Sequence, residues 1–300
     1  MTNIKIGIGT SSIGRFLPYV AEAAGLFTKE NLAVDIVNQL DEEKVVDDIV
    51  NQVTPIGTPN APSLIFSRLT GNDLIIIGGL LNRPAFYLVA NREIESVASL
   101  RGKRLGINHP RRMAGMMMLA LLKRWGLDRD RDLDLVDLGL NDRSYEALRT
   151  GDLDAALLPP EKAFLAESAG LRIIADTLDL DCHWVPLATT RRYLDENAAL
   201  VEKIAAIYRD SVQLFKSDAQ LALDAIGRQL PVLRSNPDVL DKCYRVFAKL
   251  FDPSLIPAPG SLAAILAEVA LQDSRASRIC PETLIVDPWF AAGQQVDDPR

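Results

Sequence analysis

Short apolar runs alternate with helical patterns along the first two thirds of the chain, and this alternation limits the fold more than any other feature. Residues 4–8, 32–37, 53–57 and 74–79 read as strands. Between them, 18–24, 45–50 and 59–69 read as helices, with Pro18 suited to a first helical turn and Gly25 to a helix end. Residues 74–77 are four consecutive branched apolar residues, the mark of a strand buried on both faces. A second series follows. Residues 86–90, 105–108, 133–138, 155–158 and 171–175 read as strands, and 113–125, 145–150 and 161–169 as helices. Strands that alternate with helices pack as α/β layers with mostly parallel pairing. The apolar run 184–189 returns the chain toward the first series. From Arg191 the pattern is helical: 197–216, 218–230, 237–250 and 261–271, with 281–289 closing the chain. The predicted organisation is a first lobe over 1–84, a second lobe inserted over 85–190, and a helical C-terminal layer over 191–300 that completes the first lobe.

The chain has 300 residues, 48% hydrophobic and 24% charged, the balance of an ordinary globular protein. Its formal net charge is −7, which argues against a nucleic-acid partner, since such proteins need a basic surface. The run length needed for a membrane span is not reached, so no membrane insertion is expected. Three widely spaced cysteines, Cys182, Cys243 and Cys280, point to packed or half-exposed thiols rather than a disulfide framework or a zinc site. Residues 116–118, three methionines, read as helix core. There is no phosphate-binding Gly-Lys loop and no Gly-x-Ser-x-Gly elbow. The two histidines, His109 and His183, have no metal-ligand spacing, so neither a cofactor nor a metal is expected. The sequence shows no long amphipathic arm that demands a dimer, and a monomer is expected.

Four blocks carry a resemblance. The first is Pro18-Tyr19-Val20-Ala21-Glu22-Ala23-Ala24-Gly25-Leu26-Phe27-Thr28-Lys29-Glu30-Asn31-Leu32-Ala33-Val34. The second is Ser99-Leu100-Arg101-Gly102-Lys103-Arg104-Leu105-Gly106-Ile107. The third runs from Tyr145-Glu146-Ala147-Leu148 through Gly151-Asp152-Leu153-Asp154 to Leu157, and the fourth covers 166–176 around Gly170-Leu171-Arg172. In this order and spacing they resemble type II periplasmic-binding proteins, in particular the alkanesulfonate, taurine, nitrate and thiamine-precursor group that serves ABC transporters. The resemblance covers nearly the whole chain. It implies a two-lobed α/β protein that closes over a small organic anion, a sulfonate or a carboxylate, by a hinge near 84–90 and 183–190. It also implies an ABC transporter permease as partner. No secretory signal is visible, so the expected compartment is the periplasm if a signal was trimmed and the cytoplasm otherwise. Enzymes of the same fold exist, and a decarboxylase or lyase of a small or aromatic carboxylic acid is the alternative, with His109, Glu161 and His183 as its proton-transfer candidates.

Ligands of open α/β sheets bind beyond the carboxyl ends of the strands, near helix N-termini. The first such loop offers Thr10, Ser11, Ser12, Arg15 and Phe16: three hydroxyls and a cation for an anion, or a loop capping its own helix. Thr58 and Asn60 follow the third strand and either face the solute or cap the next helix. Asn82 and Arg83 follow the buried strand, where Arg83 suits a forked contact to a carboxylate or sulfonate, or solvent at a turn. Asn108, His109, Arg111 and Arg112 precede a strong helix and form the most positive loop. Glu161 either accepts from a solute or favours its own helix start. His183 and Trp184 lie at the return crossing, where the indole either stacks on a solute or is buried between the lobes.

Overall fold

The computed structural model describes residues 1–9, 12–39 and 41–286. Thr10 and Ser11, and the part of the closing stretch beyond 286, lie outside the described residues. The chain forms two compact units. The first holds Met1–Asn82, Asp181–Ser235 and the described residues from Phe247 on; the second holds Arg83–Leu180 and Asn236–Val246.

The first unit opens with β1 (Thr2–Ile8), then α1 (Leu17–Ala23), α2 (Leu26–Lys29), β2 (Leu32–Asn38), α3 (Glu42–Val50), β3 (Ile56–Thr58), α4 (Ala61–Leu69) and β4 (Leu74–Leu81). The second carries β5 (Tyr87–Ala90), β6 (Arg104–Ile107), α5 (Met113–Arg124), β7 (Asp134–Asp137), α6 (Asn141–Thr150), β8 (Ala155–Leu158), α7 (Pro160–Ser168) and β9 (Arg172–Asp176). The chain then returns through β10 (Val185–Thr190) to α8 (Arg191–Ser217), α9 (Ala219–Gln229), α10 (Pro231–Arg234), α11 (Pro237–Leu250) and α12 (Pro259–Ala270).

Each unit is built on one five-stranded sheet, ordered β2-β1-β3-β10-β4 in the first and β7-β6-β8-β5-β9 in the second. In both, the crossing strand is the antiparallel one. β10 runs against β3 and β4, and β5 runs against β8 and β9, while β1 is parallel to β2 and β3 and β6 is parallel to β7 and β8. Each sheet is therefore mixed, with two parallel and two antiparallel pairings where mostly parallel pairing was expected, and the two-unit α/β architecture with flanking helices is present. β4 is buried along its whole length, as its unbroken apolar run required. Met116, Met117 and Met118 are buried in the core of the second unit, and Cys182 and Cys243 are buried free thiols while Cys280 is exposed. Gly25 leaves α1 in the left-handed region at φ 68°, which a side chain disfavours.

Two expectations change. The first C-terminal helix begins at Arg191 rather than 197, because Thr190 caps it by accepting from the Tyr193 N–H at 3.1 Å. A non-helical Asn197 (φ −136°) interrupts the helix and hid that first turn from the apolar periodicity. The spans expected to flex, 84–90 and 183–190, contain β5 and β10, which are hydrogen-bonded on both sides within their sheets. A strand paired on both edges is a poor place for a backbone to bend.

Candidate functional site

In the first unit, three parallel strands end level. Ile8 of β1 stands opposite Asn38 of β2 and Thr58 of β3. The loops that leave them meet at one buried ion pair. Arg15, 2% exposed, comes from the loop after β1; Glu42, 4% exposed, comes from the start of α3 after β2. Their Nη2 and Oε1 lie 2.7 Å apart. Arg15 Nε also donates to the Thr58 carbonyl at 3.0 Å, and Glu42 Oε2 accepts from the Asn60 N–H at 2.9 Å, so both reach the loop after β3. Gly9 passes directly over the pair: a Cβ there would sit 2.6 Å from Glu42 Oε2 and 2.7 Å from Arg15 Nε. A side chain there would displace the partners of the salt bridge from these positions.

This arrangement changes the reading of the first loop. Its cation, expected to draw an anion, is neutralised inside the protein by a carboxylate the loop itself does not contain. Ser12 is buried, and its carbonyl accepts from the Arg15 N–H at 2.9 Å. Phe16 is wholly buried and meets Tyr19 edge-on at 5.5 Å. Asn60 caps α4 through Ser63 N at 2.8 Å, the capping alternative of the sequence reading. Thr58 is fully buried, and its Oγ1 has no hydrogen-bond partner.

Asn82 and His183 are likewise engaged within the first unit. Asn82 Nδ2 donates to the Ile256 carbonyl at 2.9 Å. Its Oδ1 accepts from Ala258 N at 2.9 Å and from His183 Nδ1 at 2.9 Å. Because the amide oxygen only accepts, His183 carries its proton on Nδ1 and keeps Nε2 as its basic nitrogen. The ring is fully buried, and burial lowers its pKa from 6.5 to about 3. A ring held neutral so firmly is a poor proton donor. Trp184 is 3% exposed, with its ring 6.4 Å from that of Phe247 in the core.

The second unit repeats the level ending: Ile107 of β6 stands opposite Asp137 of β7. Asn108 Nδ2 donates to Asn141 Oδ1 at 3.0 Å, joining the loops after both strands. His109 is exposed, and its Nδ1 accepts from the Arg111 N–H at 3.2 Å. Arg111 is exposed and Arg112, half-buried, stands at the N-cap of α5. α5 has no side-chain cap and no acid in its first turn. In this it matches α1 and differs from α3, capped by Asp41, α4, capped by Asn60, and α6 and α7, which carry Asp142 and Glu161 in their first turns. The loop folds closely back on α5, since a Cβ at Gly115 would overlap the carbonyls of Asn108 and His109. Glu161 is 5% exposed at the start of α7, beside the buried Cys243 thiol, whose pKa burial and this carboxylate both raise. Arg83 is exposed ahead of Pro84.

The sequence reading missed Glu42, which lies far from the loop it completes. The one available signal was a buried acid at the start of a helix that also carries Asp41 and Glu43.

This two-unit arrangement is shared with solved periplasmic binding proteins. The periplasmic aliphatic sulphonate binding protein SsuA of Escherichia coli superposes with a TM-score of 0.77 at 16% identity, over 96% of this chain and 92% of that one. The alkanesulfonate-binding protein SsuA of Xanthomonas axonopodis pv. citri, solved bound to MOPS, gives 0.72 at 17% identity over 96% and 98%. In sequence, the chain is 24% identical over 257 residues to the putative binding protein YtlA of Bacillus subtilis (strain 168), covering 83% of this chain and 76% of that protein. The NMT1/THI5-like family model matches residues 16–222, and the chain belongs to that family.

Two outcomes follow. Removing one member of a buried ion pair costs about 3–5 kcal/mol because the other charge is left uncompensated. Arg15→Met is expected to lose that much stability in urea denaturation, and Arg15→Met/Glu42→Gln to regain a large part, since glutamine still accepts from Asn60. Equal stability of Arg15→Met and the native chain would contradict the buried pair. The second concerns pH. Between about 3 and 6.5 the unfolded chain binds a proton on residue 183 that the folded chain does not. Its contribution is complete above pH 6.5 and is lost as pH falls, by up to about 1.4 kcal/mol per pH unit. His183→Gln should flatten the stability profile between pH 6.5 and 4.5; an unchanged slope would show that His183 titrates in the folded state.

Proposed function

We propose that this chain is the solute-binding component of an ABC-type importer and that its solute is a small organic anion, a sulfonate or a carboxylate. Membership of the NMT1/THI5-like family and likeness to binding proteins support the role. Two structural neighbours, a sulphonate-binding protein and an alkanesulfonate-binding protein bound to MOPS, support the anion.

The observation that carries the anion is the start of α5. A helix N-terminus has unsatisfied N–H groups and a partial positive charge that favours negative ligands. Of the helices that follow parallel strands, α3, α4, α6 and α7 bring their own acceptor or acid, whereas α1 and α5 do not, and α5 begins at an arginine in a loop with His109, Arg111 and Arg112. Arg15 is excluded from the contact set because Glu42 already holds its guanidinium. The contacts we assign are therefore Arg111, Arg112, His109 and the first amides of α5. Arg83, also in the second unit, joins them. A binding role requires no proton transfer, in keeping with the neutral, buried His183.

Isothermal titration with taurine, methanesulfonate, MOPS and small carboxylates tests the reading, with the mass of each compound checked after incubation. At least one is expected to bind saturably and return intact. Hydrogen bonds to charged groups contribute about 1.5–3 kcal/mol, so Arg111→Ala and Arg112→Ala should each weaken that compound by about 10- to 150-fold. A compound returned converted would make the protein an enzyme. Unchanged affinity in both variants would remove α5 from the site.

A further inference from the structure

We propose that the first unit carries a small-molecule site of its own, one that takes an uncharged planar ring with an amide edge, the chemistry of a nucleobase or nicotinamide. The site is a hollow of about 480 Å³ at the end of the first sheet where its parallel strands begin. Its floor is laid by Asn3 and Lys5 of β1 and by Ala33 and Asp35, which stand opposite them on β2 and so share their face. Gln52, Val53 and Pro55 of the turn before β3 also line it, as does Tyr193 of α8. The residues assigned to the anion all belong to the second unit, so the two sites share no side chain.

Two departures from regular backbone meet at this hollow. Gln52 adopts φ 58°, a left-handed conformation that glycine takes freely and glutamine does not. The turn is firmly built: the Gln52 N–H donates to the Ile49 carbonyl at 3.1 Å, and the N–H groups of Val53 and Thr54 donate to the Asp48 carbonyl at 2.8 and 3.1 Å. It holds Val53 exposed at the hollow. On the other element, Asn197 breaks the path of α8 at φ −136° and donates from Nδ2 to the Tyr193 carbonyl at 3.1 Å. With its N–H on Thr190 Oγ1, Tyr193 is fixed from both sides in a first turn set apart from the rest of the helix. Residues kept against local preference gather at functional sites.

The chemistry of the lining sets the ligand class. The side chains of Asn3, Gln52 and Tyr193 make no hydrogen bond to other described residues. Each carboxamide sets a donor beside an acceptor, the complement of an amide edge on a ring. Tyr193 offers a ring face for stacking, and Val53, Pro55 and Ala33 offer apolar contact. Lys5 Nζ and Asp35 Oδ2 lie 3.9 Å apart, so the two charges offset each other and the hollow favours no ion of either sign. Its volume falls in the range of about 300–1,000 Å³ typical of small-molecule pockets.

Isothermal titration of the full chain with adenosine, uridine and nicotinamide tests this, with the melting temperature as the control for folding. At least one of the three is expected to bind saturably. Gln52→Gly and Tyr193→Leu should each weaken that compound at least tenfold. Gln52→Gly should also melt no lower than the native chain, because glycine accepts the left-handed backbone. A glutamine that served the turn alone would leave binding unchanged when replaced. Should Tyr193→Leu fail to fold, Gln52→Gly decides alone. Absence of saturable binding by all three compounds, or native affinity in folded Gln52→Gly, would overturn the site.

Discussion

The Arg15–Glu42 pair is the contact on which the arrangement of the first unit's strand-end loops depends. It is made by residues from the loops after two strands and is completed by the backbone of the loop after a third. Parallel strands bring those loops to one edge but do not set their conformations; a buried charge pair does, because each charge must be fully matched or remain costly. Gly9 passes over the pair with no room for a side chain. The strands, the glycine and the two charges form one constraint, since altering any of them disturbs the rest. Such a pair adds little net stability over a hydrophobic replacement, and its value here is in fixing a geometry.

The consequence is a difference in electrostatic character between the units. At the level strand ends of the first, Arg15 is matched by Glu42, and the flanking helices α3 and α4 are capped by Asp41 and Asn60. At the strand ends of the second, α5 starts without a cap in a loop that holds two arginines and a histidine. An anionic solute is favoured at a helix start that has no side-chain cap and stands among cationic residues. This is the physical ground on which the loop after β6, rather than the loop after β1, is assigned the charged end of the solute.

Much of the fold was legible because local signals agreed. The apolar run of β4, the Gly25 helix end and the helix at 113–125 each follow from short-range preferences, and the family blocks stand in order. What was illegible depends on distant partners. Arg15 reads as an anion ligand until Glu42 is found beside it, and Asn82 reads as a loop amide until Ile256, Ala258 and His183 are seen around it. Trp184 reads as a stacking platform until Phe247, brought back by the C-terminal helices, is found against it. Pairings of polar groups across the chain leave no periodic trace. The charge of the loop at 108–112 and the helix behind it are neighbours in sequence, so that juxtaposition was legible without a distant partner.

The most direct measurement is a crystal structure of the chain with a bound alkanesulfonate. The account predicts sulfonate oxygens against the first amides of α5 and the side chains of Arg111 or Arg112, with Arg15 still bonded to Glu42. A sulfonate held by Arg15, its guanidinium turned away from Glu42, would contradict it.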